Sequence, residues 1–244
     1  MPGWLCNCRI RLLTTSGGIA TNVSLYKLPY DPRKDLAPVA LLAQMPYLIA
    51  AHPSVSARSA QDLINLAKAQ PGKIAFSSSG AGTSSHLAGE MFKTMTKTNL
   101  LMVPYKGAGP ALTDLMGGHV QMLFALPVSV IQHVQRGAVR GIAISGLTRL
   151  PVLAQIPTFT EAGLPGFSVN SWQGVLAPAR TPRAIIDKLS AEYARILRTP
   201  DVRDTLQKMG ADTMIGSPEQ FAAYIKSEIV KWAKIVRDSN IAAQ

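Results

Sequence analysis

Short apolar runs alternate with helical patterns through the middle of the chain. Each run is four to seven residues long, and each is followed by a segment whose apolar positions repeat at helical spacing. The predicted strands are Lys73–Ser77, Leu100–Val103, Val120–Phe124 and Val139–Ser145. This order predicts an α/β fold built around a largely parallel sheet.

Two longer β-like runs bracket this block. They are Ala37–Ala51 and Phe167–Ala177. A block inserted between two crossing strands gives two lobes, and such a layout permits hinge closure around a ligand. We expect a first lobe of residues 1–51 and 168–244 and a second lobe of residues 52–167.

Capping patterns predict where several helices begin. Ser59 with Asp62 three residues later is typical of a capping box. The pairs Thr181-Pro182, Thr199-Pro200 and Ser217-Pro218 each place a hydroxyl before a proline at a first helical position. Gln220 adds a capping box to the last of them.

The chain is basic, with 25 Lys and Arg against 14 Asp and Glu and a net charge of +11. A solvated basic surface, an anionic membrane surface and small anionic ligands are all compatible with this charge. We expect no nucleic-acid partner, because the basic residues are scattered and only 6% of residues are aromatic. The two cysteines, Cys6 and Cys8, have neither zinc nor C-x-x-C spacing.

The strongest candidate for chemistry is the segment Ser77–Ser85, here called the serine loop, which joins a predicted strand to a predicted helix. Its glycines allow a tight turn, and its hydroxyls and first-turn amides are hydrogen-bond donors at the positive end of a helix dipole. These features suit a carboxylate or phosphate. An ordinary capped loop is the alternative interpretation. The loop fits neither the dinucleotide nor the Walker A pattern.

Two further segments are weaker candidates. Tyr105 and Lys106 follow another predicted strand and could line a cleft or attract an anion, although a solvated turn explains them as well. Trp172 lies in a crossing strand and could close over a ligand, or it could be a buried aromatic between the lobes.

Signals for an enzyme or a metal centre are weak. Ser84 or Ser85 with His86 could suggest a hydrolase, but adjacency in sequence does not make a nucleophile–base pair, and no G-x-S-x-G motif is present. The four histidines lack metal-binding spacing. We therefore expect no catalytic residue, no metal and no cofactor.

Several long motifs, taken in order, carry a family resemblance. They are Ser24–Pro32 (SLYKLPYDP), Phe76–Glu90 (FSSSGAGTSSHLAGE), Val103–Gly118 (VPYKGAGPALTDLMGG), Ile156–Phe167 (IPTFTEAGLPGF) and Ser171–Pro178. From roughly Leu12 to its C-terminus, the chain resembles the substrate-binding proteins of tripartite tricarboxylate transporters, the TctC or Bug family.

The resemblance implies a type II periplasmic-binding-protein fold, with two βαβ lobes joined by two crossing strands. It also implies Venus-flytrap closure, a small carboxylate ligand, membrane transporter subunits as partners, a periplasmic location, a monomer and no enzymatic activity. Family members hold a ligand carboxylate with the equivalent of the serine loop, and a loop resembling Thr14–Gly17 lines the other wall. The expected ligand-binding residues are Thr15, Ser16, Ser78, Ser79, Gly80, Gly82, Thr83, Ser84, Tyr105 and Trp172.

Two departures from the family pattern affect these expectations. The usual export signal, first strand and Pro- and Gly-rich loop are absent, so we expect a first lobe incomplete at its N-terminus, from a misassigned start or a truncated gene. A truncated remnant that binds nothing is therefore an alternative. Family members also often carry Asp where this chain has Ala125, and its absence favours an unsubstituted carboxylate as ligand.

Overall fold

The structure is a computed structural model that describes residues 12–239 and 241. The expectations for Cys6, Cys8 and the segment Met1–Arg9 lie outside these residues. The chain divides into two compact units. The first unit falls within Met1–Gln44, Ser171–Lys208 and Asp212–Gln244, and the second comprises Met45–Asn170 and Met209–Ala211.

The first unit is built on a four-stranded sheet in the order β1-β8-β2-β9. Strands β1 and β8 pair antiparallel, as do β2 and β9. The sheet comprises β1 (Leu12–Thr15), β2 (Leu36–Pro46), β8 (Asn170–Pro178) and β9 (Asp212–Thr213). The helices are a π-helical segment (Gly17–Thr21), α1 (Asn22–Leu25), α6 (Arg183–Leu197), α7 (Pro200–Lys208) and α8 (Pro218–Asp238).

The second unit is built on a five-stranded sheet in the order β5-β4-β6-β3-β7. The strands are β3 (Leu48–Ala51), β4 (Ala75–Ser78), β5 (Leu101–Pro104), β6 (Met122–Ala125) and β7 (Arg140–Ile144). The helices are α2 (Ala60–Ala69), α3 (Ser84–Thr96), α4 (Ala108–Met116), α5 (Pro127–Gln135) and a 3-10 turn (Pro151–Leu153). Strand β4 is parallel to β5 and β6, and β3 is antiparallel to β6 and β7.

The predicted long strand Ala37–Ala51 is two strands in the structure. Strand β2 ends at Pro46 and β3 begins at Leu48, and they belong to different sheets. Pro46 has no N–H to continue a ladder. The N–H of Tyr47 donates instead to Ser145 Oγ at 2.7 Å. The apolar run Ala37–Ala51 therefore contributes one strand to the sheet of each unit.

Helix starts follow the capping prediction in part. Ser59 with Asp62 and Ser217 with Gln220 form complete capping boxes. The prediction for Thr181 is wrong, because α6 begins at Arg183 with Pro182 as N-cap, and the Thr181 hydroxyl is buried without a partner among the described residues. The carbonyl of Pro182 accepts the N–H of Ile186 and so begins the hydrogen bonding of α6.

A phenylalanine cluster fixes α3 against the sheet of the second unit. Neighbouring rings in the cluster lie 4.3 to 6.4 Å apart between centroids. Its members are Phe76, Phe92, Phe124, Phe159 and Phe167, all of them buried. Because β4 and α3 share this core, the serine loop between them is attached to rigid elements at both ends.

Candidate ligand-binding site

Three strand-to-helix junctions meet on the side of the second unit's sheet where the parallel strands β4, β5 and β6 have their carboxyl ends. This side is here called the edge of the sheet. Parallel strands β4, β5 and β6 lie side by side, and each is followed by a helix, α3, α4 and α5 respectively. None of the three helices has an acidic residue in its first turn. Ligands of open α/β sheets bind outside the carboxyl ends of the strands. The edge thus collects three helix N-termini that favour an anion.

The serine loop is held together by its own side chains. Thr83, the N-cap of α3, accepts the backbone N–H of His86 at 3.4 Å and donates its hydroxyl to the Gly80 carbonyl at 2.7 Å. Ser79 Oγ lies 3.3 Å from Thr83 Oγ1 and donates to it. The turn needs glycine at two positions, since φ is +145° at Gly80 and +74° at Gly82.

Bonds to the neighbouring strands fix the loop in place. The N–H groups of Tyr105 and Gly107 donate to the carbonyls of Ser78 and Ser79, both at 3.1 Å. Ser85 Oγ donates to the Phe124 carbonyl of β6 at 2.7 Å. All three junctions are therefore tied to one another.

His86 has two partners at the base of the loop. Its Nδ1 accepts the backbone N–H of Gly82 at 3.1 Å, and its Nε2 lies 3.8 Å from Glu90 Oε1. Glu90 is in turn paired with Lys93 at 2.8 Å. Burial lowers the pKa of His86, with Glu90 opposing the shift and Lys93 adding to it. The imidazole is therefore neutral near pH 7.

The Ser85–His86 pair that the alternative of a hydrolase would require is not formed. Ser85 Oγ donates to the Phe124 carbonyl, and His86 Nδ1 accepts from Gly82. A nucleophile needs its base within hydrogen-bond reach. Neither Ser85 nor His86 thus has the partner that a hydrolase would need.

Most of the predicted ligand-binding residues lie together in the structure, but they differ in burial and in hydrogen-bond partners. Ser79, Gly80 and Thr83 are half-buried, whereas the Ser78 hydroxyl is fully buried and lies 3.3 Å from the Gly80 carbonyl. The N–H of Gly82 is bonded to His86. Ser84 is the first residue of α3.

Tyr105 stands beside the loop, but its hydroxyl points to the next helix. It donates to Asp114 Oδ2 at 2.6 Å. This hydrogen bond, with a smaller effect of burial, raises the pKa of Tyr105 to about 12. The phenol is therefore neutral at physiological pH and is already held by α4.

Trp172 lies in the core of the first unit. It is 0% exposed, its ring packs edge-on against Phe221 and Tyr224, and its indole N–H donates to Glu228 Oε2 at 3.3 Å. Trp232 donates to the same oxygen at 3.1 Å. These contacts favour the buried-aromatic interpretation of Trp172.

Thr15 and Ser16 also lie in the first unit. Thr15 ends β1, is exposed and stands opposite Gln173 in the ladder with β8, whereas Ser16 is 1% exposed. A π-helical segment begins directly after them at Gly17. Such segments are rare and are frequent at functional sites.

Sequence reasoning missed two features of the site. The N-terminus of α5 was not among the predicted parts of the site. Pro127, two residues after the end of β6, was a sufficient signal that a helix begins there. The role of His86 as acceptor for Gly82 was also missed, since only the folded turn brings those two groups together. The described residues contain no cluster of three or more His, Cys, Asp or Glu that could hold a metal ion.

The fold, together with the site at the carboxyl ends of β4, β5 and β6, defines the class of the two-unit α/β solute-binding proteins. The chain belongs to the tripartite tricarboxylate transporter family receptors, since the TctC family model matches residues 11–241. It is a binding protein with a type II periplasmic-binding-protein-like fold and not an enzyme.

Known relatives support this assignment. The chain is 36% identical over 234 residues to a UPF0065 protein from the tcbD-tcbE intergenic region of Pseudomonas sp. strain P51, covering 95% of this chain and 70% of the relative. It is 33% identical over 229 residues to protein BugT of Bordetella pertussis, covering 93% and 70%.

Solved structures show the same fold. An R. palustris protein with adipate matches with a TM-score of 0.89 and 33% identity, covering 96% of this chain and 81% of the other. MatC from Rhodopseudomonas palustris with bound malate matches with a TM-score of 0.83 and 32% identity, covering 93% and 78%. Among the described residues, no helix is both long and apolar enough to cross a membrane.

Proposed function

We propose that this receptor binds a small organic carboxylate and that the serine loop holds the carboxylate group. The observation that carries the proposal is the junction of three helix N-termini, none with an acidic first turn, at one edge of the second unit's sheet. Backbone N–H groups and the helix dipole favour a negative charge at such a position. Adipate and malate, bound by two solved relatives, are both dicarboxylates and support the proposal.

Within the loop, we assign the donor role to Ser79, Gly80, Thr83 and Ser84. They carry hydroxyl and backbone N–H groups around the half-buried turn that precedes α3, and we propose that the bonds which Ser79, Gly80 and Thr83 make within the loop are exchanged for bonds to the ligand. We assign Ser78 and Gly82 to the shape of the turn instead. Both are buried, with the Ser78 hydroxyl bonded to the Gly80 carbonyl and the Gly82 N–H bonded to His86 at the base of the loop. A carboxylate that accepts several such bonds is held as the ion.

Residues outside the loop have supporting roles in the proposal. Tyr105 supports the turn through its backbone N–H, and Trp172 supports the first unit through its buried indole. Thr15 is exposed at the end of β1, and we propose it as a ligand-binding residue of the first unit, with the buried Ser16 shaping the segment that follows. Thr15→Val tests this role, because it removes the hydroxyl and keeps the shape of the side chain.

The charges around the site favour a ligand without an ammonium group. Asp114 accepts the Tyr105 hydroxyl, and Glu90 is paired with Lys93. Ala125, at the position where family members often carry Asp, ends β6 with a methyl group and so places no negative charge there. We therefore propose unsubstituted carboxylates in preference to amino acids.

The family also suggests the wider role. We propose that the protein delivers its ligand in the periplasm to the membrane subunits of a tripartite tricarboxylate-type transporter. Co-purification of tagged receptor with such subunits in the presence of ligand tests this step. If the receptor binds its ligand but captures no transporter subunit, only the ligand-binding part of the proposal stands.

A thermal-shift screen against mono-, di- and tricarboxylates and their amides tests the binding proposal. A ligand at about 100 times its Kd stabilises a protein by about 2.7 kcal/mol, which a melting curve resolves. We expect carboxylates to raise the melting temperature and the neutral amides to leave it unchanged. If no carboxylate stabilises the protein, the alternative of a chain that binds nothing is favoured.

A matched pair of glycine variants locates the site. Gly80 and Gly137 both have positive φ values, of +145° and +73°, so an alanine strains either position. Gly137 follows α5 and precedes β7, at the opposite edge of the sheet from the serine loop. Gly80→Ala should abolish the ligand-induced shift and Gly137→Ala should retain it. Equal shifts in both variants would place the ligand elsewhere.

A further inference from the structure

The side chain of His86 is built into the turn that precedes α3. It is 7% exposed and occupies the third position of the helix, three residues after the N-cap Thr83. In a capping box, the residue at this position reaches back to bond the N-cap backbone N–H. Here the imidazole reaches one residue further back, to the N–H of Gly82.

The direction of this bond fixes the tautomer. Gly82 N–H is a donor, so His86 Nδ1 must present a lone pair and the ring proton must be on Nε2. The Nε2 atom faces Glu90 Oε1 at 3.8 Å. A neutral ring with its proton on Nε2 therefore accepts the Gly82 N–H at Nδ1 and directs its own N–H toward the Glu90 carboxylate.

The bond also controls what the turn presents to solvent. With its N–H directed to His86, the Gly82 peptide is fixed in the left-handed conformation, with φ at +74°. Thr83 holds the other side of the same turn through the Gly80 carbonyl. The turn then leads directly into the first residues of α3, where the ligand carboxylate is proposed to bind.

We infer that His86 is a positioning residue for ligand binding, which holds the Gly80–Thr83 turn in its binding geometry by accepting the Gly82 N–H at Nδ1. The inference rests on the proposed function for its effect on affinity, but the hydrogen bond itself can be tested without any ligand. His86 does not touch the ligand in this account.

Two substitutions separate the hydrogen bond from the bulk of the ring. His86→Asn places an amide oxygen near the position of Nδ1 and keeps an acceptor for Gly82. His86→Leu keeps an apolar side chain of similar size and removes the acceptor. Because His86→Leu leaves the buried Gly82 N–H without its acceptor and releases the turn from its binding geometry, we expect about tenfold weaker binding for His86→Leu and about wild-type binding for His86→Asn.

His52 supplies a matched control. Its Nδ1 also accepts a backbone N–H, from Ser54 at 3.2 Å. It follows the carboxyl end of β3, which runs antiparallel to β6, and so lies at the opposite edge of the sheet. His52→Leu removes the same kind of bond and should leave the affinity unchanged.

The experiment is calorimetric titration of adipate into wild type, His86→Asn, His86→Leu and His52→Leu. Weak binding in His86→Leu alone supports the inference. Wild-type affinity in His86→Leu, or equal weakness in His86→Asn and His86→Leu, overturns it. If adipate does not bind the wild type, the proposed function fails for this ligand and the inference is decided by the next measurement.

Nitrogen NMR of the His86 imidazole tests for the hydrogen bond in the absence of ligand. We expect His86 Nδ1 to give the signal of an unprotonated nitrogen at pH 7.5 and Nε2 that of a protonated one. Amide exchange at Gly82 should be faster in His86→Leu, if that variant folds, and near normal in His86→Asn. A proton on Nδ1 of the wild type overturns the inference whatever the affinities show.

Discussion

The packing of α3 on β4 can be tested at Gly89, which faces the sheet behind the serine loop. A Cβ added there would lie 2.1, 2.5 and 2.8 Å from three ring atoms of Phe76. Ordinary contacts between carbon atoms lie at about 3.5–4.0 Å, so the substitution Gly89→Ala forces the ring or the helix to move.

The size of the effect follows from how firmly Phe76 is held. The ring is 0% exposed and packs edge-on against Phe124, with centroids 5.6 Å apart. Overpacking a tight core costs about 1–3 kcal/mol, whereas replacing glycine by alanine within a helix gains about 1 kcal/mol. Because the Phe76 ring is fully buried, we expect a cost in the upper half of this range, about 2–3 kcal/mol, and therefore a net loss of about 1–2 kcal/mol in the free energy of unfolding.

Gly109→Ala is the matched control. Gly109 also lies in a helix, α4, and an added Cβ there meets nothing within 4 Å. Only the gain in helix stability applies, and we expect about 0.5 kcal/mol of stabilisation at this first-turn position. The same chemical change should thus have opposite signs at the two positions.

Urea unfolding measures both variants. Far-UV circular dichroism follows both units, and tryptophan fluorescence follows the first unit, because Trp172 and Trp232 lie there and the second unit contains no tryptophan. The loss in Gly89→Ala should appear in the dichroism transition. A Gly89→Ala protein as stable as the wild type would refute the packing of α3 on β4, and with it the position of the serine loop.

Two further predictions concern polar side chains that bond to other side chains, the buried Glu228 and the half-buried Tyr105. Glu228→Leu should lower the free energy of unfolding by about 3 kcal/mol in urea, because it leaves the indole N–H groups of Trp172 and Trp232 without their shared acceptor, whereas Glu228→Gln keeps an acceptor oxygen and should lose less. Equal stability of the two variants would contradict the role of Glu228. Tyr105 should ionise with a pKa of about 12 against an ordinary 10.0, seen as a phenolate absorbance that is missing from Tyr105→Phe. Because the folded pKa is raised, the stabilisation by its bond to Asp114 should be present below pH 10 and lost as the pH rises toward 12. Ionisation of Tyr105 near pH 10 would contradict this bond.

Much of the fold could be predicted from local signals. A glycine or proline stands at or near each end of the helices Ala108–Met116 and Pro127–Gln135, and these local signals are sufficient to predict both helices. The run Ala37–Ala51 was harder, since its residues are equally suited to one strand or two. Pro46 was the local signal for the break.

The site was predictable in kind but not in its hydrogen bonds. A Ser- and Gly-rich turn before a helix predicts an anion-binding loop from residue types alone. Which N–H groups the turn uses internally depends on the folded geometry, as Gly82 and His86 show. The burial of Trp172 likewise depends on Phe221 and Glu228, which lie about 50 residues further along the chain and meet it only after folding.

The most direct test of the central claim is a titration of the labelled protein with adipate, followed by the backbone amide signals in NMR. We expect the largest shifts on the amides of Ser79–Ser85, since these lie nearest to the proposed carboxylate. Saturating binding that leaves these amides unshifted would contradict this claim.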